Sequence, residues 1–200
     1  MKKSKNKVWF LNWYKYCKAY LHLARIGLLE LREQQYRNRF SLFNQSDIYK
    51  DKIVLIPIIW SLKHATELLL KAVDVRVTQE FLASHDISEL QNEIKAALSS
   101  IGVTDTKVSD DLSAISEKYL GLKFWEGRLL SKSAVRDEQN DVFRYPESRV
   151  GFALDIENIH KVSSKELLEL EDDLEELERI LHRLHSRITD AKIRNESQAS

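Results

Sequence analysis

Residues 165 to 188 read KELLELEDDLEELERILHRLHSRI. Leu167, Leu170, Leu174, Leu177, Leu181, Leu184 and Ile188 recur there in alternating steps of three and four. That rhythm places them along one side of an α-helix as an a/d seam. Ser163 and Glu166 precede it in the spacing of a capping box, so the helix is expected from 164 to about 190. Its charge is polarised. Residues 166–178 hold eight acids and no base, whereas Arg179, Arg183, Arg187, Lys192 and Arg194 follow. Two antiparallel copies would set acidic halves against basic ones, which suggests a homodimer. Alternatively, the charges complement the helix macrodipole and the seam packs on its own bundle.

The rest of the chain reads in the same helical idiom. Only five glycines and two prolines punctuate 200 residues, too few for a turn-rich β-sandwich or a Gly-rich linker. Charged residues make up 31%, a mixture that suits amphipathic helices. The expectation is one all-α domain over 1–200, an up-and-down bundle of four to six helices. Its parts are a basic N-terminal helix at about 12–38, a bundle core at about 53–126, an irregular connection at 127–162 and the heptad helix.

In the first helix, Trp13, Tyr16, Cys17, Tyr20, Ala24, Gly27, Leu28 and Leu31 supply the apolar periodicity. Asn44 to Asp51 interrupts it with polar residues, and Pro57 suits the first turn of a second helix. Lys63, Glu67 and Lys71 then line a polar face at i, i+4 spacing. Asp86 and Glu89 have capping-box spacing ahead of Ile87, Leu90, Ile94 and Leu98, and Gly102 is a natural stop. Ser109 can cap a further helix carrying Leu112, Ile115, Tyr119 and Leu122.

Function is less directly written. Lysine plus arginine equals aspartate plus glutamate, at 31 each, yet residues 1–40 hold ten bases against two acids. On helical spacing Lys15, Lys18, His22, Arg25, Arg32, Tyr36 and Arg39 fall in a band about 120° wide. Such an edge can neutralise phosphates while exposed rings stack on bases; the competing reading is an ordinary solvated face. Arg179 and His185 have an Arg-x5-His spacing, but on a straight helix they point about 120° apart. His64 beside Trp60 reads as a packed histidine, and His85 as part of a turn. No HExxH, P-loop, GxSxG or Rossmann glycine pattern occurs, and the acids of 166–178 lack EF-hand spacing.

One cysteine, Cys17, excludes an internal disulfide and a cysteine-based zinc cluster, and no cofactor is expected. The basic start is followed by too short an apolar core for a leader, and Ile53 to Leu62 is too short to span a bilayer. A cytoplasmic protein with no membrane partner is the expectation.

Three segments together resemble the HEPN (higher eukaryotes and prokaryotes nucleotide-binding) domains. They are Ser61-Leu62-Lys63-His64-Ala65-Thr66-Glu67-Leu68-Leu69-Leu70-Lys71-Ala72, then His85-Asp86-Ile87 with Leu90, then Phe143-Arg144-Tyr145-Pro146. The resemblance spans about residues 55–150. It implies a helical bundle, frequent homodimerisation and a place in bacterial toxin–antitoxin or antiphage defence systems. Many members are metal-independent ribonucleases with an Arg-x4-6-His motif at the dimer cleft. Here nothing of that character lies between Arg144-Tyr145-Pro146 and the last helix, so a non-catalytic member is expected. It would bind RNA or a protein partner of the same system, with Lys15, Lys18, Arg25, Arg32, Arg144 and Tyr145 as the RNA-contacting residues. The enzymatic alternative uses Arg179 with His185, or Arg144 with His64. A third reading is an adaptor whose acidic helix, through Glu169, Asp172, Glu175 and Glu176, docks a basic partner.

Overall fold

The computed structural model describes residues 2–40, 47–78, 84–103, residues 107, 110, 111, 113–115 and 117, and 163–198. Four long helices dominate: α1 Lys2–Phe40, α2 Asp47–Thr78, α3 Ile87–Ser100 and α4 Ser164–Gln198. Helical residues also occur between 107 and 117, and no strand is present among the described residues. The chain is an all-α bundle.

Pairings along the helices give the topology. Across α1 and α2, Trp13 meets Lys71, Tyr20 meets His64, and Gly27 meets Ile58. Across α1 and α4, Tyr14 meets His185, Arg25 meets Glu178 and Arg32 meets Glu171. In both series rising numbers on α1 meet falling numbers on its neighbour. α1 is therefore antiparallel to α2 and to α4.

The heptad helix is as its spacing predicts, and its seam faces inward. Leu167, Leu170, Leu174, Leu177, Leu181, Leu184 and Ile188 are all buried within the single chain, joined by Ile180 and Ala191. A dimer through this seam would have to open the bundle. The capping box is present: the Glu166 N–H donates to Ser163 Oγ at 3.3 Å and the Ser163 N–H to Glu166 Oε2 at 2.7 Å. These bonds satisfy donors that the first turn leaves without helical partners.

α3 is capped at both ends. Asp86 Oδ1 accepts the Glu89 N–H at 3.0 Å, but the Asp86 N–H donates to Ser84 Oγ at 3.0 Å instead of to the Glu89 side chain. At the far end the Gly102 N–H reaches the Ser99 carbonyl and the Val103 N–H the Leu98 carbonyl, each at 3.0 Å. This is a Schellman closure, and it needs the left-handed φ of +75° at Gly102.

Two expectations about α2 are corrected. Pro57 lies inside the helix, ten residues beyond its start at Asp47. A proline there removes one helical hydrogen bond and costs about 3 kcal/mol. Leu55, Ile58 and Ile59 around it are almost fully buried, so packing holds the helix through the interruption. Nor is the Lys63–Glu67–Lys71 stripe a solvated face: the three are 1%, 2% and 3% exposed. From Ser61 to Val75 every residue except His64 is buried, as for a helix covered all round.

α1 approaches α2 closely because Gly27 has no side chain. A Cβ there would stand 2.5 Å from Ile58 Cγ1. Cys17 is buried, and its thiol is pushed up to about 12, first by burial and then by the charge of Glu178. Among the described residues no helix is long and apolar enough to cross a membrane. Ser109, Leu112, Tyr119, Leu122 and the expected connection 127–162 lie outside the described residues.

Candidate functional site

α2 carries a charged cluster in the body of the bundle. Residues three and four apart on a helix share a side, so His64, Glu67 and Lys71 meet. Glu67 Oε1 accepts from Lys71 Nζ at 2.7 Å, and Oε2 lies 3.3 Å from His64 Nδ1. The Asp86 cap that starts α3 brings the preceding residue, His85, back onto α2. Its Nδ1 stands 2.9 Å from Glu67 Oε1. One carboxylate thus holds two imidazoles and an ammonium.

With both histidines donating from Nδ1, the 3.5 Å approach of Lys71 Nζ to His85 Nδ1 is a contact between two donors. Burial alone would raise the Glu67 pKa. Hydrogen bonds from His64 and Lys71, and their charges, outweigh it and hold the carboxyl at about 2. Glu67 is ionised at neutral pH.

Aromatic rings wall the cluster. Trp60 stacks on His64 at 5.1 Å, Tyr20 meets the His64 ring edge-on at 4.5 Å, and Lys71 Nζ lies 5.8 Å from the centre of the Trp13 ring. The indole N–H of Trp60 is buried with no hydrogen-bond partner among the described residues. His85 is the most open of the group, its side chain 54% exposed against 21% for His64.

Lys71 balances Glu67 inside the network, where the carboxylate is engaged at both oxygens. The arrangement is therefore suited to fastening the 84–86 turn onto α2 rather than to holding the charge of a ligand. No group of three or more His, Cys, Asp or Glu among the described residues is placed to hold a metal ion. Sequence reading missed this convergence, although its parts were visible as His64, Glu67 and Lys71 at helical spacing and His85 next to the cap.

The residues predicted from sequence are scattered differently. Arg25 pairs with Glu178 at 2.8 Å and Arg32 with Glu171 at 2.9 Å, so two cations of the basic stripe are neutralised by the acidic half of α4. Lys15 is exposed, and Lys18 extends toward the Tyr14 ring, 6.0 Å from its centre. Arg179 is held by Glu176 at 2.5 Å, while the His185 ring lies 5.3 Å from that of Tyr14 on α1. The two are engaged with different elements.

Of the adaptor acids, Glu176 is taken by Arg179 and Arg183, and Glu169 lies 3.9 Å from Lys165; Asp172 and Glu175 are exposed. Arg183 also reaches Asp111 at 3.2 Å, tying α4 to the helical residues near 111. Arg144 and Tyr145 lie outside the described residues.

Comparison with protein-family models, with curated proteins and with solved structures finds no match for the chain.

Proposed function

We propose that the chain is a HEPN-like interaction module of a bacterial antiphage defence or toxin–antitoxin assembly. On this reading it acts in the cytoplasm by binding a protein partner and not by cleaving RNA. The outer side of α1 carries the proposal. Tyr16, Leu23, Ile26 and Leu29 are 62%, 54%, 51% and 53% exposed there, within about 140° of the helix circumference. Monomer surfaces scatter such residues singly, and several along one helix mark a contact surface.

The separate engagement of Arg179 and His185 supports the non-catalytic half of the proposal. A phosphodiester centre of the Arg–His kind needs both groups on one phosphate. A second reading, RNA association, draws on exposed Lys15 and Lys18 beside Tyr16. It is weakened by the engagement of Arg25 and Arg32 with carboxylates.

A photo-crosslinking amino acid at position 26, activated in cells, tests the proposal. Adducts that survive ribonuclease are expected; adducts that ribonuclease removes would overturn it in favour of RNA. Cleavage of single-stranded RNA without added metal, abolished by His185→Ala, would overturn the non-catalytic part.

A further inference from the structure

We infer that the protein partner on the outer side of α1 presents an amphipathic helix with acids in its first turns, lying parallel to α1. This rests on the reading of that side as a protein contact and goes further by stating what the partner brings to it.

The apolar residues set the shape. Tyr16, Ala19, Leu23 and Ile26 follow one another in steps of three, four and three, and all four are exposed. Such steps make an a/d edge, the surface along which a second helix packs. α2 and α4 hold other sides of α1, through Tyr20 and Gly27 and through Tyr14 and Arg25. Leu23, Ile26 and Leu29 offer no ring on which a base could stack.

The charges set the sign. Lys15, Lys18 and His22, again in steps of three and four, line one flank of this edge, and all three are exposed. No ion pair among the described residues involves them. The sequence has no acid before Glu30. Nor does α4 bring its acids to this level: His185 stands beside Tyr14, and Glu178 and Glu171 lie farther along at Arg25 and Arg32. Carboxylates on the partner complement this flank, and such matching selects a partner more than it tightens binding. Exposed Glu30 and Glu33 on the same side disfavour an anionic lipid surface lying along it.

The order of these features sets the direction. The cations come first, from 15 to 22, and apolar Leu23, Ile26 and Leu29 follow. Helices are stabilised by acids in their first turns and bases in their last. A helix with its acids first matches this order by running the same way as α1. From Lys15 to Leu29 the contact is about 21 Å long, or about four turns.

The test places the photo-crosslinking amino acid at positions 16, 26 and 29 of the full chain in cells, and sequences the captured peptide. One segment is expected, acidic in its first turns and apolar at three- and four-residue steps, with its start captured from position 16 and its end from position 29. Made as a synthetic peptide, it should bind the full chain less tightly as salt rises. Lys15→Glu combined with Lys18→Glu, and separately Leu23→Glu, should each weaken that binding by about tenfold or more.

A captured segment that is basic, that lacks the apolar steps, that runs in the reverse order or that belongs to a second copy of this chain overturns the inference. So does binding indifferent to the lysine pair. These outcomes leave the protein-contact reading standing. Adducts that ribonuclease removes, adducts to lipid, or no adduct at all sink both. Circular dichroism checks that each variant folds, and the lysine pair decides the matter if Leu23→Glu does not.

Discussion

α1 has charged residues in both of its principal contacts, and uses them in opposite ways. Against α4 they sit at the rim: Arg25 and Arg32 pair with Glu178 and Glu171 outside a leucine seam, in partly solvated positions. Against α2 they are inside: Glu67 and Lys71 are buried, with Lys71 against Trp13 and their neighbour His64 against Tyr20 and Trp60. Rim charges orient two helices at small energetic consequence. Interior charges couple several elements, and removing one strands the others.

The sharpest way to break that comparison is Glu67→Ala, which leaves Lys71 buried without its acid. Loss of one member of a buried pair costs about 3–5 kcal/mol; urea unfolding is expected to show a loss in that range. Replacing both as Glu67→Leu with Lys71→Met should cost less than the single change, since no stranded charge remains. A double loss equal to the sum of the two single losses would mean the pair is not coupled.

Acid should single out the same interface. The folded Glu67 carboxyl titrates at about 2, below its ordinary value of 4.5. Its contribution is therefore complete above the ordinary value and is lost as pH falls from there toward about 2. Relative to Glu67→Gln, the native chain should lose stability more steeply through that window. Parallel curves would detach the carboxylate from the effect.

Gly27→Ala sets two effects against each other. Alanine favours a helix by about 1 kcal/mol, but its methyl drives into Ile58, and overpacking costs about 1–3 kcal/mol. Net destabilisation is expected, partly rescued by Ile58→Val. The smallest effect belongs to the rim. Arg25→Ala or Arg32→Ala should each change stability by less than about 1 kcal/mol, with the difference fading in high salt. A larger, salt-independent loss would place those pairs with the interior kind.

Which of these contacts the sequence exposes follows from what periodicity encodes. The a/d rhythm of α4, the Ser163–Glu166 box and the Gly102 stop are local, and each has the predicted geometry. Periodicity separates polar from apolar sides of a helix, but it does not say which sides are covered. Lys63, Glu67 and Lys71 therefore read as a face toward water, although α2 is enclosed. The basic stripe of α1 read as open for the same reason, because Arg25 meets Glu178 only once α4 has folded back across more than a hundred residues. Pro57 misled in another way: its local cost is real, and distant packing outweighs it. The separation of Arg179 from His185 was legible from helical angle alone, whereas the meeting of Glu67 with His85 depends on how the 84–86 turn is placed.

Cys17 gives these distinctions a clock. Its thiol is buried and protonated well past neutral pH, so a thiol-specific reagent can reach it only when α1 lifts from the bundle. Being the chain's single cysteine, it makes the rate of modification a direct gauge of how often that helix opens, with no engineered label required.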